Sequence, residues 1–208
     1  MRIHAAFLAA VFALGVSPGA LALDATVPPA NAPSTRETTA DTAPPAVPRV
    51  KTLNELFIAL KGDDADAADR AESDILALWL ESGSETVDLL MRWALQAIDS
   101  KAYPLALDYL DRITTLKPEY VEGWNKRATV YYLTDDYGKA LSDIEHVLAL
   151  EPRHFGALAG LGTIFRDLDQ DRRALTAYRA ALAIDPRMDN VQKAIDELEA
   201  KGIEGKAI

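Results

Sequence analysis

The sequence predicts an all-α chain organised as a stack of helix-turn-helix repeats, and three observations carry that prediction. Prolines recur at Pro118, Pro152 and Pro186, 34 residues apart each time. The same shift superposes Ala106, Ala140 and Ala174, then Leu107, Leu141 and Leu175. It also superposes small residues at Ala94, Ala128 and Gly162 and aliphatic residues at Leu116, Leu150 and Ile184. A fixed period of this length with helical character marks a stacked array, in which neighbouring units bury the faces that a single unit cannot.

Composition bounds the rest. A chain of 208 residues holds one domain plus appendages, and 49% apolar residues can supply its core. The net charge of −10 argues against a nucleic-acid or anionic-membrane surface, because phosphate binding needs clustered Lys and Arg. The acidity reads as a solvated helical surface. With no cysteine, disulfides, thiol catalysis and Cys-rich metal sites drop out, and no redox compartment is selected.

In chain order, residues 1–22 are expected to be a secretory signal peptide. Arg2 and His4 give a basic start, residues 5–16 are an uninterrupted apolar run, Ser17-Pro18-Gly19 breaks it, and Ala20-Leu21-Ala22 flanks a cleavage point. A bilayer span needs roughly 20 residues, so this run is too short to be one. No lipobox cysteine is present, and in a Gram-negative host the destination is the periplasm. Residues 23–50 are rich in Pro, Ala and Thr and have almost nothing large and apolar, so they read as a disordered linker.

Residues 51–86 are expected to form a helical pair in the place of a preceding, degenerate repeat. Leu53, Leu56, Phe57 and Leu60 recur at helical spacing. A second helix ends in the apolar run 75–80, which is expected to pack on the first repeat. The repeats then occupy 87–120, 121–154 and 155–188, with helices expected at 87–99 and 103–116, 121–133 and 137–150, and 155–167 and 171–184. Each proline stops a second helix, because it disfavours helical backbone in the residue before it. Trp93, Trp124, Tyr131, Phe165 and Tyr178 are expected in the core. Residues 189–208 give a capping helix and tail: Asp189 and Gln192 suggest a capping box, and Val191, Ala194, Ile195 and Leu198 form one apolar stripe opposite a polar face.

These slots resemble the tetratricopeptide repeat (TPR) family, in the manner of a small secreted bacterial member. In the middle copy Trp124, Ala128, Tyr131, Ala140 and Pro152 fall on the family's Trp, Gly, Tyr, Ala and Pro slots, with Ile144 at its Phe slot. The third copy matches at Leu161-Gly162, Phe165, Ala174, Tyr178 and Pro186. The first matches at Leu90, Trp93-Ala94, Ala97, Ala106, Leu110 and Pro118. The resemblance implies a right-handed superhelix whose first helices line a concave, peptide-binding groove.

Motifs for chemistry are sparse. The spacing of His146 from Asp143 and Glu145 lacks the i, i+4 pair of a helical zinc site, and His154 reads as surface packing beside Pro152. Asp167, Asp169 and Asp171 resemble the opening of a calcium loop, but Arg172 stands where glycine is needed and Tyr178 where glutamate is needed. No catalytic residue, metal site or cofactor is therefore assigned, and an enzyme is not expected.

Carried over slot by slot, the groove comprises Met91, Arg92 and Leu95 from the first repeat, with Asp88 and Ile98 beside them. The second gives Glu122, Asn125, Lys126, Thr129 and Tyr132, and the third Gly156, Gly160, Thr163 and Arg166, with Ala159 between them. The lysine and asparagine carboxylate clamp of some family members is missing: Met91, Leu95, Gly156 and Gly160 occupy its slots. Gly156 and Gly160 either admit a partner's backbone or reflect tight helix packing. Asn125 and Tyr132 carry polar handles expected to be spare, and Arg92, Lys126 and Arg166 add positive spots that favour a partner with some acid. The function expected is a non-enzymatic adaptor or scaffold that binds a protein segment in a cell-envelope assembly, without nucleic acid or membrane insertion. The alternative is a self-associating module, a homo-oligomer, whose groove is filled by its own linker or by a second copy.

Overall fold

The structure is a computed structural model that describes residues 52–203. The apolar leader, the Pro/Ala/Thr-rich segment and the last five residues of the tail lie outside the described residues. Among the described residues there are nine α-helices and no strand: α1 Leu53–Leu60, α2 Ala65–Leu80, α3 Glu85–Asp99, α4 Tyr103–Leu116, α5 Val121–Leu133, α6 Tyr137–Leu150, α7 Phe155–Asp167, α8 Asp171–Ile184 and α9 Asp189–Ala200. From α3 onward each helix packs mainly on its neighbours in sequence, which makes α3–α4, α5–α6 and α7–α8 three stacked hairpins closed by α9.

The turn inside each hairpin is the same device three times. Lys101, Asp135 and Asp169 sit in left-handed backbone at φ 58°, 59° and 57°, again at the 34-residue spacing. Ala102, Asp136 and Gln170 then donate their backbone N–H back to the carbonyls of Ala97, Tyr131 and Phe165, each at 2.8 Å. This is a Schellman closure, which satisfies carbonyls that a helix end would otherwise leave open. It also accounts for the Asp-rich run. Asp169 is the left-handed residue, a conformation that Asp tolerates better than most side chains. Asp171 opens α8.

Inside each hairpin the residue sizes trade off. Gly162 faces Tyr178 so closely that an added Cβ would lie 2.5 Å from the ring. In the preceding hairpin the same two slots hold Ala128 and Ile144, a larger residue opposite a smaller one. Ala106, Ala140 and Ala174 are fully buried, as close helix approach requires. On α9, Val191, Ala194, Ile195 and Leu198 are buried while Gln192, Lys193, Asp196, Glu197 and Glu199 are exposed. Gly202, at φ 74°, ends that helix.

Three expectations are corrected. The α1–α2 pair does not stand ahead of α3 as a preceding repeat. Its apolar face, built from Leu56, Phe57, Leu60, Ile75 and Trp79, closes on Phe155, Ile184 and Met188 of the third hairpin and the start of α9, and α2 also touches α5 of the second hairpin. The capping box at Asp189 does not form: Met188 is the N-cap, without a side-chain bond, and Gln192 donates to Asp196 instead. Trp93 is 43% exposed, because no helix among the described residues packs over that side of α3.

Candidate protein-interaction face

The residues assigned to the groove lie along α3, α5 and α7, and burial divides them. Met91, Glu122 and Thr163 are buried, together with Ile98 and Ala159. Leu95, Asn125, Lys126, Thr129, Tyr132, Gly156, Gly160 and Arg166 are half-buried, and Arg92 is exposed.

Glu122 is the centre of the polar part. It sits in the first turn of α5 at 3% exposure, and its carboxylate collects three partners. His154 Nε2 lies 2.9 Å away, Asn125 Nδ2 donates at 3.1 Å, and Lys126 Nζ lies at 3.3 Å. Burial alone would raise the carboxyl pKa. The Lys126 charge and the hydrogen bonds from His154 and Asn125 outweigh it and hold the group well below the usual carboxylate range. His154 is correspondingly defined. Its Nδ1 accepts the backbone N–H of Ala157 at 3.0 Å and so caps α7. That bond requires an unprotonated Nδ1 and leaves Nε2–H to donate to Glu122.

His154 is thus no surface residue, as its place beside Pro152 suggested; it is 1% exposed. The Trp79 ring stacks on it at 4.1 Å and 9°, which clamps the end of α2 against the N-terminus of α7. Neighbouring contacts extend the clamp. Tyr120 Oη donates to the Leu80 carbonyl at 2.8 Å, Arg153 bonds Asn54 at 2.8 Å and lies over the Phe57 ring, and Arg187 donates to the carbonyls of Leu60 and Gly62. These residues escaped the sequence reading, yet the repeat marks them. Tyr120, His154 and Met188 share one slot 34 residues apart, the N-caps of α5, α7 and α9, and Arg153 and Arg187 share the slot before it.

The polar handles expected to be spare are in use. Asn125 is spent on Glu122, and Tyr132 Oη donates to Asp167 at 2.9 Å, burial and that bond together raising the phenol pKa. Two of the three positive spots are answered as well, Lys126 by Glu122 and Arg166 by Glu197 of α9 at 3.7 Å, while Arg92 is exposed. The glycines behave differently. A Cβ on Gly156 would lie 3.5 Å from the His154 ring and one on Gly160 would lie 3.8 Å from Ile144, both ordinary contacts. Tight packing therefore demands glycine at neither place.

No cluster of three or more potential metal ligands occurs among the described residues. His146 lies against the Trp124 ring at 4.0 Å.

No family model matches the chain. A TPR repeat-containing protein of Rhizobium etli is 47% identical over 94 residues, which are 45% of this chain and 46% of that protein. The match spans less than half the relative's own length. Over those residues the chain is similar to a TPR repeat-containing protein, and its stacked hairpins have the tetratricopeptide-repeat fold. Solved TPR domains share the fold of the array. The Sgt2 TPR domain from Aspergillus fumigatus superposes with a TM-score of 0.54 at 21% identity, covering 57% of this chain and 80% of that one. The first TPR of Spaghetti (RPAP3), solved bound to the HSP90 peptide SRMEEVD, gives 0.54 at 18% identity over 57% and 94%. At these identities the likeness is one of fold alone.

Proposed function

We propose that the protein is a non-enzymatic, exported adaptor whose TPR array holds an extended protein segment in its concave groove, within a cell-envelope assembly. TPR domains generally mediate protein–protein interaction, and one structural neighbour was solved with a peptide bound. The observation that carries the reading is the pair Gly156 and Gly160. Packing does not require glycine there, so what their absent side chains supply is an approachable backbone on α7. Around them, half-buried Thr129, Tyr132 and Lys126 offer hydrogen-bonding groups already held by neighbours, which lowers the ordering cost of binding. The clamp slots hold Met91, Leu95, Gly156 and Gly160, so the segment is recognised along its length and not by a terminal carboxylate. Because Lys126 and Arg166 are already paired within the chain, an acidic segment is not favoured over a neutral one. Export to the periplasm rests on the leader at residues 1–22.

The test is a displayed library of short peptides selected on the purified protein, followed by fluorescence anisotropy of the best binder on a Gly160→Trp variant. A bulky residue at that slot is expected to weaken binding at least about tenfold, or ~1.4 kcal/mol, with the helical circular dichroism unchanged. Unchanged affinity in the folded variant would sink the groove reading.

A further inference from the structure

The repeat itself exposes a second surface when its three copies are superposed. Leu89, Trp93 and Gln96 on α3 become Gly123, Arg127 and Val130 on α5, and Ala157, Leu161 and Ile164 on α7. In the two later copies this row is covered by the preceding hairpin. A Cβ on Gly123 would strike Ile113 at 2.7 Å, Arg127 reaches Thr114 at 3.0 Å and Asp111 at 2.8 Å, and Leu161 packs on the cluster of Ile144 and Val147. Val130 and Ile164 are accordingly buried. In the first copy nothing within the described chain covers it. Leu89 is 36% exposed and Trp93 43%, with Leu105 of α4 beside them at 46%.

The obvious cover is spent elsewhere. The α1–α2 pair is clamped to the second and third hairpins through Trp79, Arg153 and Arg187, and the described chain begins at that remote dock, where Asn54 bonds Arg153. Residues 24–50 contain no leucine, isoleucine, methionine or aromatic residue with which to fill an apolar face. The opposite end of the stack is closed by α9, whose outward residues are polar and charged, so α9 offers no apolar face for head-to-tail addition.

We infer that this end face is a two-fold contact between two copies of the chain, α3 of one against α3 and α4 of the other. The face has what a self-complementary contact needs, a knob beside a hole. A hollow of about 310 Å³ lies between Trp93, Gln96, Ala97, Ser100, Leu105 and Tyr109, while Leu89 and the exposed edge of Trp93 stand out next to it. In a two-fold pair each copy offers its protrusion to the other's hollow. The exposed Asp108–Arg112 ion pair gives α4 both signs of charge, so like charge does not oppose the approach. The contact does for the first repeat what α4 and α6 do for the later ones, and it leaves the groove residues of the proposed function outside it.

Sedimentation equilibrium of the purified protein tests this, with Trp93→Glu and Leu105→Lys as disrupting variants and Leu150→Lys, exposed but off the face, as control. The wild type and the control are expected to sediment as dimers. A buried tryptophan anchor enters a symmetric contact twice, so Trp93→Glu is expected to weaken dimerisation by roughly 100-fold or more. Circular dichroism checks folding, and Leu105→Lys decides the matter if Trp93→Glu does not fold. A wild type that stays monomeric, a dimer that survives in the folded variants, or a ladder of masses beyond the dimer would each overturn the inference. Peptide affinity in the groove is unaffected by any of these results, so the two readings fail separately.

Discussion

The second and third hairpins share a fold and solve the same contacts with opposite chemistry. Where α5 carries Glu122, Asn125, Lys126 and Arg127, α7 carries Gly156, Ala159, Gly160 and Leu161. On the second helices the slot of Asp143 in α6 is held by Ala177 in α8. The difference shows at the seams. Arg127 closes α5 against α4 and α6 with a bidentate pair to Asp143, both bonds 2.8 Å, and a further bond to Asp111. Leu161 closes the next seam by packing on an aliphatic cluster. A repeat interface therefore needs coverage and no particular polarity. A charged seam adds direction, at the risk that losing one partner strands the other.

That risk orders the ways to test the comparison, beginning with the most severe. Glu122→Ala would leave Lys126 and His154 facing a buried void, and a broken buried charge network typically costs about 3–5 kcal/mol. Gly156→Ala, at the same slot one repeat on, is expected to stay within about 0.5 kcal/mol, since its new Cβ makes only ordinary contact. Urea unfolding of the pair measures the contrast. The same carboxylate sets a pH signature. Its folded pKa lies below the unfolded value, so its stabilisation is complete above the unfolded carboxyl range of about 4.3 and is lost as pH falls through the folded value. Glu122→Gln should flatten that acid limb.

The next test converts one seam into the other. Arg127→Ala alone strands Asp143, which is 4% exposed, and is expected to cost about 3 kcal/mol. Arg127→Leu together with Asp143→Ala rewrites the second hairpin in the language of the third. Replacing a buried ion pair by apolar residues is often neutral or stabilising by about 1–4 kcal/mol, so the double variant should melt no lower than the parent. A large loss in the double variant would mean that the charged seam fixes geometry that leucine does not reproduce.

What the sequence revealed of these seams, and what it hid, follows from the same physics. The prolines, the small slots and the apolar spacing are local signals, and the six repeat helices begin within about two residues of their expected starts, the usual scatter of helix ends. The docking of α1–α2 was not legible, because an apolar helix face says that it must be covered but not by what. Trp93 is deceptive for a related reason: an aromatic at helical spacing is core only where a neighbouring helix exists to cover it. His154 is not recognisable from its own neighbours in sequence. Set in its slot with Tyr120 and Met188, it belongs to a row of large N-cap residues, which small polar caps would ordinarily fill. Asn125 and Tyr132 look spare in the sequence because nothing local marks Glu122 and Asp167 as their acceptors.

A third test concerns the size trade inside the hairpins. Gly162→Ala pushes a methyl against the Tyr178 ring and is expected to cost about 1–3 kcal/mol, as overpacked cores do. Adding Tyr178→Ile recreates the Ala128–Ile144 pairing of the second hairpin and should recover part of that loss. It will not recover all of it, because the Tyr178 hydroxyl also bonds Thr163 at 3.2 Å. A double-mutant cycle reads the coupling directly.

The smallest effect belongs to the turns. Lys101, Asp135 and Asp169 share one left-handed conformation, but their side chains do not share its cost. A side chain other than Gly, Asn or Asp loses roughly 1–2 kcal/mol in left-handed backbone, and glycine escapes that cost while giving back some unfolded-state entropy. Lys101→Gly should therefore stabilise the first hairpin by about 0.5–1 kcal/mol. Asp169→Gly should gain less, since Asp already tolerates the conformation. Asp135→Gly should gain least, because it also gives up the bond that Tyr137 Oη makes to the Asp135 carboxylate at 3.0 Å. Thermal melts of the three single variants give the ranking. An Asp135→Gly variant more stable than Lys101→Gly would show that the three turns, identical in backbone, are not equivalent in strain.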